Sequence, residues 1–261
     1  MSRRRLGQHF LAAEGWRARI ASTLGVTPGD VWLEIGAGHG EMTQWLARSA
    51  ARVIAVELDP RLAERLRELA RNLPNVEVVA GDVLELDLAR VVRENRLKVY
   101  GNLPYYITSP ILHRLFEHAD RLDAIHVVVQ MEVAARLAAR PGSRQYGYLS
   151  VAAQFYTRPE IVLRIPRGAF RPPPKVTSAL VSMRLPGERA GLGVSDEAKF
   201  LEFVKACFEQ KRKTLLNNLR PLLGSARAEE ALRAAGVRPN ARAEQLELAE
   251  LARLFQNLSA Q

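Results

Sequence analysis

Short apolar runs recur at 31–35, 53–56, 76–79, 97–100 and 124–129, each of strand length and bounded by turn residues. Between them the pattern changes period. In 14–24, Trp16, Ile20 and Leu24 fall near helical spacing, and 60–72 is also patterned as a helix. Strands alternating with helices predict an α/β fold, a parallel sheet with right-handed crossovers and helices on both faces. Ligands of such sheets bind beyond the carboxyl ends of the strands, so the informative residues should follow the strands.

Farther along, the stretch 131–139 leads into a Pro141-Gly142-Ser143-Arg144 loop, and the pattern then predicts a helix at 149–156 and strands at 161–165 and 178–185. The stiff, basic segment Phe170-Arg171-Pro172-Pro173-Pro174-Lys175 lies between those strands. Beyond 186 only helical patterns occur, at 196–209, 212–222, 226–235 and 243–256. The expected division is an α/β domain over 1–186, a linker over 187–195 and a small all-helical domain over 196–261.

Composition adds a partner class. The 261 residues are 48% hydrophobic and 25% charged, as in globular proteins, but the net charge of +10 favours a polyanion, nucleic acid before an anionic membrane surface. Cys207 is the only cysteine, which excludes an intrachain disulfide and fits a reducing cytoplasm. No signal peptide or membrane-spanning run is expected, so the chain reads as soluble and cytoplasmic. His113, His118 and His126 lack a metal-ligand pattern, and no metal site is expected.

Chemistry concentrates after the strands. The first strand leads into Gly36-Ala37-Gly38-His39-Gly40, where glycines permit a tight turn and close approach of backbone to ligand. Glu41 occupies the position where a dinucleotide fingerprint needs glycine, which favours an uncharged nucleoside over a pyrophosphate. Glu57 ends the second strand, where a carboxylate can accept both ribose hydroxyls. Asp82 follows the third and can accept from an adenine amino group. After the fourth comes Asn102-Leu103-Pro104-Tyr105-Tyr106, where Pro104 biases Leu103 toward extended backbone and turns carbonyls outward.

Glu34-Ile35-Gly36-Ala37-Gly38, Glu57, Asp82 and Asn102-Leu103-Pro104-Tyr105 together resemble the motifs of Rossmann-like, S-adenosylmethionine-dependent adenine-N6 methyltransferases. Leu6 to Leu11, Gln130 to Ala134, Tyr146 to Val151, Phe170 to Val176 and Phe208 to Leu215 narrow the likeness to the bacterial small-subunit (16S) ribosomal RNA adenine N6,N6-dimethyltransferases, over nearly the whole chain. The resemblance implies that His9, Leu11, Gly36, Gly38, Glu57, Leu58, Asp82, Val83 and Asn102 line the S-adenosylmethionine site. It also implies that Asn102, Leu103, Pro104 and Tyr105 receive the target adenine, with Tyr105 stacking on one face and Phe170 on the other.

The Asn102 side-chain carbonyl and a main-chain carbonyl near Leu103 or Pro104 would accept the two amino hydrogens and aim the nitrogen lone pair at the methyl. Arg171, Lys175, Lys211, Arg212, Lys213 and Arg220 are the expected RNA contacts, the last four on a helical segment beginning at Phe208. The implied partners are small-subunit ribosomal RNA and the assembling subunit, bound by a monomer, with S-adenosylhomocysteine as product. Two rivals stand beside this reading: large-subunit adenine methyltransferases of the antibiotic-resistance type, and a non-catalytic RNA-binding assembly or transcription factor. The chain departs from the family's usual pattern at Tyr106, where Asn is usual, at Met131, where Lys or Arg is usual, and at Ala37, where Pro is common.

Overall fold

The computed structural model describes residues 9–88, 96–104 and 106–259. Nine strands are present among them: β1 (Phe10–Leu11), β2 (Val31–Ile35), β3 (Arg52–Glu57), β4 (Val76–Ala80), β5 (Leu97–Asn102), β6 (Leu122–Gln130), β7 (Arg158–Ile165), β8 (Phe170–Arg171) and β9 (Ser178–Arg184). Seven form one sheet in the order β4-β3-β2-β5-β6-β9-β7. β2 to β6 pair in parallel, and β9 runs antiparallel to β6.

The apolar runs are continuous because both faces of the central strands are covered. Trp32, Leu33, Val53, Ile54, Val99, Ile125 and Val127 are wholly buried. Helices α1 (Glu14–Leu24), α2 (Glu41–Ala47), α3 (Pro60–Ala70) and α4 (Thr108–Phe116) intervene between strands. Helix α3 starts where a capping side chain meets a proline: Asp59 accepts from the Arg61 N–H at 2.8 Å, and Pro60 needs no partner in the first turn. The chain leaves β2 for β3 and β4 on one side and returns as β5 on the other. This reversal opens a crevice at the carboxyl ends of β2 and β5.

A second, two-stranded ribbon has no counterpart in the predicted elements. β1 pairs antiparallel with β8, Phe10 opposite Arg171 and Leu11 opposite Phe170. Two-residue strands carry no periodicity, so the pattern could not reveal them.

The chain divides into two compact units, and the division is discontinuous. Among the described residues, one holds those up to Ala134 together with 160–185; the other holds 135–159 and those from 186 onward. The single boundary expected at 187–195 thus meets a helical unit that also takes the stretch 135–159. This unit contains α6 (Tyr148–Tyr156), α7 (Glu197–Cys207), α8 (Leu215–Leu223), α9 (Ser225–Ala234) and α10 (Leu248–Ser259), with α5 (Met131–Leu137) preceding them across the division. Its core is aromatic: Phe200 packs 5.1 Å from Phe155 and 5.5 Å from Phe255, ring centre to ring centre.

The basic stretch after Phe208 is a turn and not part of a helix, which corrects the expectation. α7 ends at Cys207 and α8 begins only at Leu215, capped by Thr214. The buried Asn218 amide explains the break: it accepts from the Gln210 N–H at 3.1 Å and donates to the Cys207 carbonyl at 2.8 Å. Among the described residues, no helix is long and apolar enough to cross a membrane.

Candidate functional site

The glycine loop after β2 is built from left-handed backbone. Gly36, Gly38 and Gly40 have φ of 70°, 60° and 79°, which side-chain-bearing residues rarely adopt. At Gly40 a Cβ would also lie 2.5 Å from the Leu69 Cδ2 methyl, so a side chain there would push that leucine aside. The loop is tied to the next strand by Glu57, a residue 2% exposed whose carboxylate accepts from the Gly38 N–H at 2.8 Å and the Asp59 N–H at 2.9 Å. A carboxylate has about four acceptor positions, so Glu57 retains capacity for hydroxyl groups.

Two clefts adjoin this loop, and Gly36 borders both. The first, with about 470 Å³ of empty space, is walled by Glu57 and Leu58 after β3, by Gly81, Asp82 and Val83 after β4, and by Pro104, Tyr106, Ile107 and Ile111. One Asp82 oxygen accepts from the Leu84 N–H at 2.9 Å, which fixes the carboxylate at the mouth of the strand. The second cleft, about 330 Å³, is bordered by Phe10, Leu11, Glu34, Ala37, Glu41, Met42, Tyr100 and Asn102. The Phe10 ring lies 4.9 Å from that of His39, so the N-terminal ribbon covers the glycine loop.

Asn102 ends β5 beside the second cleft. Its amide nitrogen donates to the His9 carbonyl at 2.8 Å, which leaves its oxygen as a free-standing acceptor. The His9 ring in turn donates to the Pro172 carbonyl at 2.7 Å, so one residue links the proline loop to Asn102. Leu103 is buried, with its N–H bound to the Val128 carbonyl at 3.1 Å. The Pro104 carbonyl is engaged by the Ile107 N–H at 3.2 Å and the Thr108 hydroxyl at 3.0 Å.

The structure therefore brings Leu11, Gly36, Glu57, Leu58, Asp82, Val83, Asn102 and Pro104 to the walls of two adjoining clefts, with Gly38 in the loop between. His9 borders neither cleft and meets Asn102 through its backbone carbonyl. Tyr105 lies outside the described residues. Phe170 is placed differently from the expectation: its ring is 2% exposed, in the core cluster with Leu11, Tyr100 and Leu180, where it anchors β8 and offers no face to a base. Arg171 and Lys175 are exposed beside it.

In the helical unit, Arg212 and Lys213 are exposed on the turn after α7. Lys211 is committed internally, to the Arg144 carbonyl and to Glu244 at 3.9 Å, and Arg220 faces Glu229 at 3.7 Å.

Sequence reasoning missed Glu34 and Tyr100. Burial pushes the Glu34 carboxyl up to about 8, an effect augmented by the charges of Glu41 and Glu57 and opposed by the Thr43 hydroxyl, which donates to it at 2.6 Å. The Tyr100 hydroxyl is buried without a hydrogen-bond partner, and burial and the Glu34 charge push its pKa up. An acid inside the otherwise apolar run 31–35 is the signal that would have flagged this pair. Among the described residues, no group of three or more His, Cys, Asp or Glu side chains is arranged to hold a metal ion.

Carboxylates at two strand ends, apolar walls at Leu58 and Val83 and a backbone-lined glycine turn are a donor set suited to a nucleoside with a small polar extension. The comparisons with known proteins agree with that chemistry. Among solved structures, a dimethyladenosine transferase from Plasmodium falciparum shares the fold, with TM-score 0.83, 23% identity, and coverage of 97% of this chain and 98% of that one. The 23S rRNA methyltransferase ErmE aligns with TM-score 0.72 and 31% identity over 96% of this chain and 99% of its own.

Proteins described as ribosomal RNA small subunit methyltransferase A are similar over nearly their whole length. That of Acidobacterium capsulatum is 45% identical, covering 97% of this chain and 90% of the relative. That of Koribacter versatilis is 41% identical, over 97% and 93%. The family model described as ribosomal RNA adenine dimethylase matches residues 1–260. The chain belongs to the ribosomal RNA adenine dimethylase family, and is a ribosomal RNA adenine dimethyltransferase.

Proposed function

We propose that this enzyme dimethylates N6 of two neighbouring adenosines in a loop near the 3′ end of small-subunit (16S) ribosomal RNA, using S-adenosylmethionine, as a cytoplasmic monomer acting on the assembling subunit. The observation that carries the reading is the state of Asn102: at the end of β5, with its amide nitrogen committed to His9 and its oxygen left to accept. The first cleft fits the adenosyl portion of the donor, Glu57 toward the ribose hydroxyls and Asp82 toward the adenine amine. The second fits the methionine portion, beside Glu34 and the unpartnered Tyr100 hydroxyl. When bound, the donor supplies a methyl group on a positively charged sulfur.

The remaining work falls to this chain's residues. An adenine amine is a poor nucleophile because its lone pair is delocalised into the ring. Accepting its two hydrogens from fixed positions favours a pyramidal nitrogen with the lone pair directed outward. Asn102 Oδ1 is one acceptor. The Pro104 carbonyl is occupied by Ile107 and Thr108, so the Leu103 carbonyl is the better second one. The methylated nitrogen is acidic enough to lose its proton to water, so no general base is required.

A base in a loop is extruded at less cost than one in a duplex, which favours a single-stranded target. Arg212 and Lys213, with Arg171 and Lys175, are the exposed cations best suited to phosphates. The similarity to small-subunit relatives at 41% and 45% identity supports this substrate over the large-subunit one. Incubation with methyl-labelled S-adenosylmethionine and undermethylated small subunits tests the proposal. Label is expected in N6-dimethyladenosine of small-subunit RNA. Label only in large-subunit RNA, or none from folded protein, would overturn it.

A further inference from the structure

Tyr106 is the largest exposed apolar side chain at either cleft. Among the described residues, four large hydrophobic side chains stand exposed: Leu58 at 46%, Tyr106 at 61%, Val176 at 44% and Leu222 at 59%. Two of the four, Leu58 and Tyr106, border the same cleft, the one that also holds Glu57 and Asp82. Exposed apolar groups flanking a concave site mark surface that a ligand covers. The polar groups there are few and placed at the strand ends, so the remainder of the ligand surface must be flat and apolar, as a purine is.

The backbone holds Tyr106 at this rim. The Pro104 carbonyl accepts from the Ile107 N–H and the Thr108 hydroxyl, closing a tight turn with Tyr106 at its outer edge, and the buried Thr108 starts α4. Resting on the reading that this cleft receives the adenosyl portion of the donor, we propose that Tyr106 is a specificity-determining wall of the cofactor site. Its ring covers the adenine opposite the strand-end residues, and it takes no part in holding the target base. The sequence position, directly after Asn102-Leu103-Pro104-Tyr105, suggests the target pocket instead; the lining of the cleft assigns it to the donor.

Titration calorimetry of the full chain with S-adenosylhomocysteine and with adenosine separates the possibilities, since neither ligand includes the target base. Loss of one aromatic–base contact weakens binding by about tenfold. Tyr106→Ala is therefore expected to weaken both ligands by about tenfold, and by the same factor, because adenosine contacts only this cleft. Tyr106→Phe should stay within about twofold of the parent, as stacking does not need the hydroxyl. The side chain is mostly exposed, so folding is not at stake, and an unchanged melting temperature checks this.

Asp82→Ala tests the underlying cleft assignment. If Asp82→Ala weakens adenosine binding but Tyr106→Ala does not, the role given to Tyr106 is wrong while the cleft assignment stands. If neither substitution matters, the cleft assignment fails and the inference falls with it.

Discussion

In the proposed reaction the Asn102 amide performs two tasks, and substitution can separate them. Alanine removes the acceptor and the tether to His9 together, and a rate loss of roughly a hundredfold or more is expected, the scale seen when one preorganised polar group is removed from a reacting centre. Asn102→Asp keeps an acceptor but cannot donate to the His9 carbonyl, placing two oxygens where a 2.8 Å hydrogen bond stood. Single-turnover methylation should therefore fall with aspartate nearly as far as with alanine; full activity would show that the tether is dispensable. Glu34 makes a prediction of opposite character. Its carboxyl is raised from 4.5 to about 8 in the fold, mainly by burial, so the folded chain retains a proton that the unfolded chain releases across that interval. Stability then falls as pH rises from 4.5 to 8, and the loss is complete above 8. Glu34→Gln stays neutral and still accepts from Thr43, so it should melt higher than the parent at about pH 9, with the two curves converging near about pH 4. Parallel curves would show that Glu34 is ionised in the fold.

At the scale of elements, the turn between α7 and α8 separates cations that look alike in the sequence. Lys211 holds the turn to Glu244 and to the 140–144 loop, while Arg212 and Lys213 point to solvent. Lys211→Ala should lower the melting temperature. Arg212→Ala with Lys213→Ala should leave it alone but reduce the salt dependence of RNA binding by roughly one to two counterions, read from Kd against salt. An unchanged slope would remove this turn from the RNA surface. The turn also marks where sequence reading stops. Strands β2 to β6 and the acids at their ends were legible because short buried runs and strand-end residues carry local signals. The basic segment from Phe208 reads as helical because helical patterns at 196–209 and 212–222 nearly meet there, and the deciding contact, the Asn218 amide on Gln210 and Cys207, is tertiary. Phe170 misled for a related reason: an aromatic before a proline loop looks available, and only the pairing of β8 with β1 reveals it as an anchor. The tether from His9 to Asn102 spans 93 positions and no local pattern encodes it.

For the whole molecule, the charge of +10 and the clefts make different demands on solvent, and this allows their separation. Both clefts lie within the sheet-containing unit, and their walls are carboxylates, backbone and apolar groups. Binding S-adenosylhomocysteine there displaces few counterions. Binding RNA phosphates releases many, so with about four contacts a fourfold rise in salt should weaken RNA binding by roughly fiftyfold. S-adenosylhomocysteine at about one hundred times its Kd adds about 2.7 kcal/mol to the fold that holds it. For a unit of this size that is a rise in melting temperature of roughly 5–10 °C. Scanning calorimetry of the full chain should find that shift nearly unchanged between about 50 and 200 mM salt, and reduced in Asp82→Ala at the same ligand concentration. Stabilisation by an RNA fragment should collapse over the same range. A nucleoside shift that disappeared with salt would place the ligand on the basic surface, and both cleft assignments would then have to be abandoned.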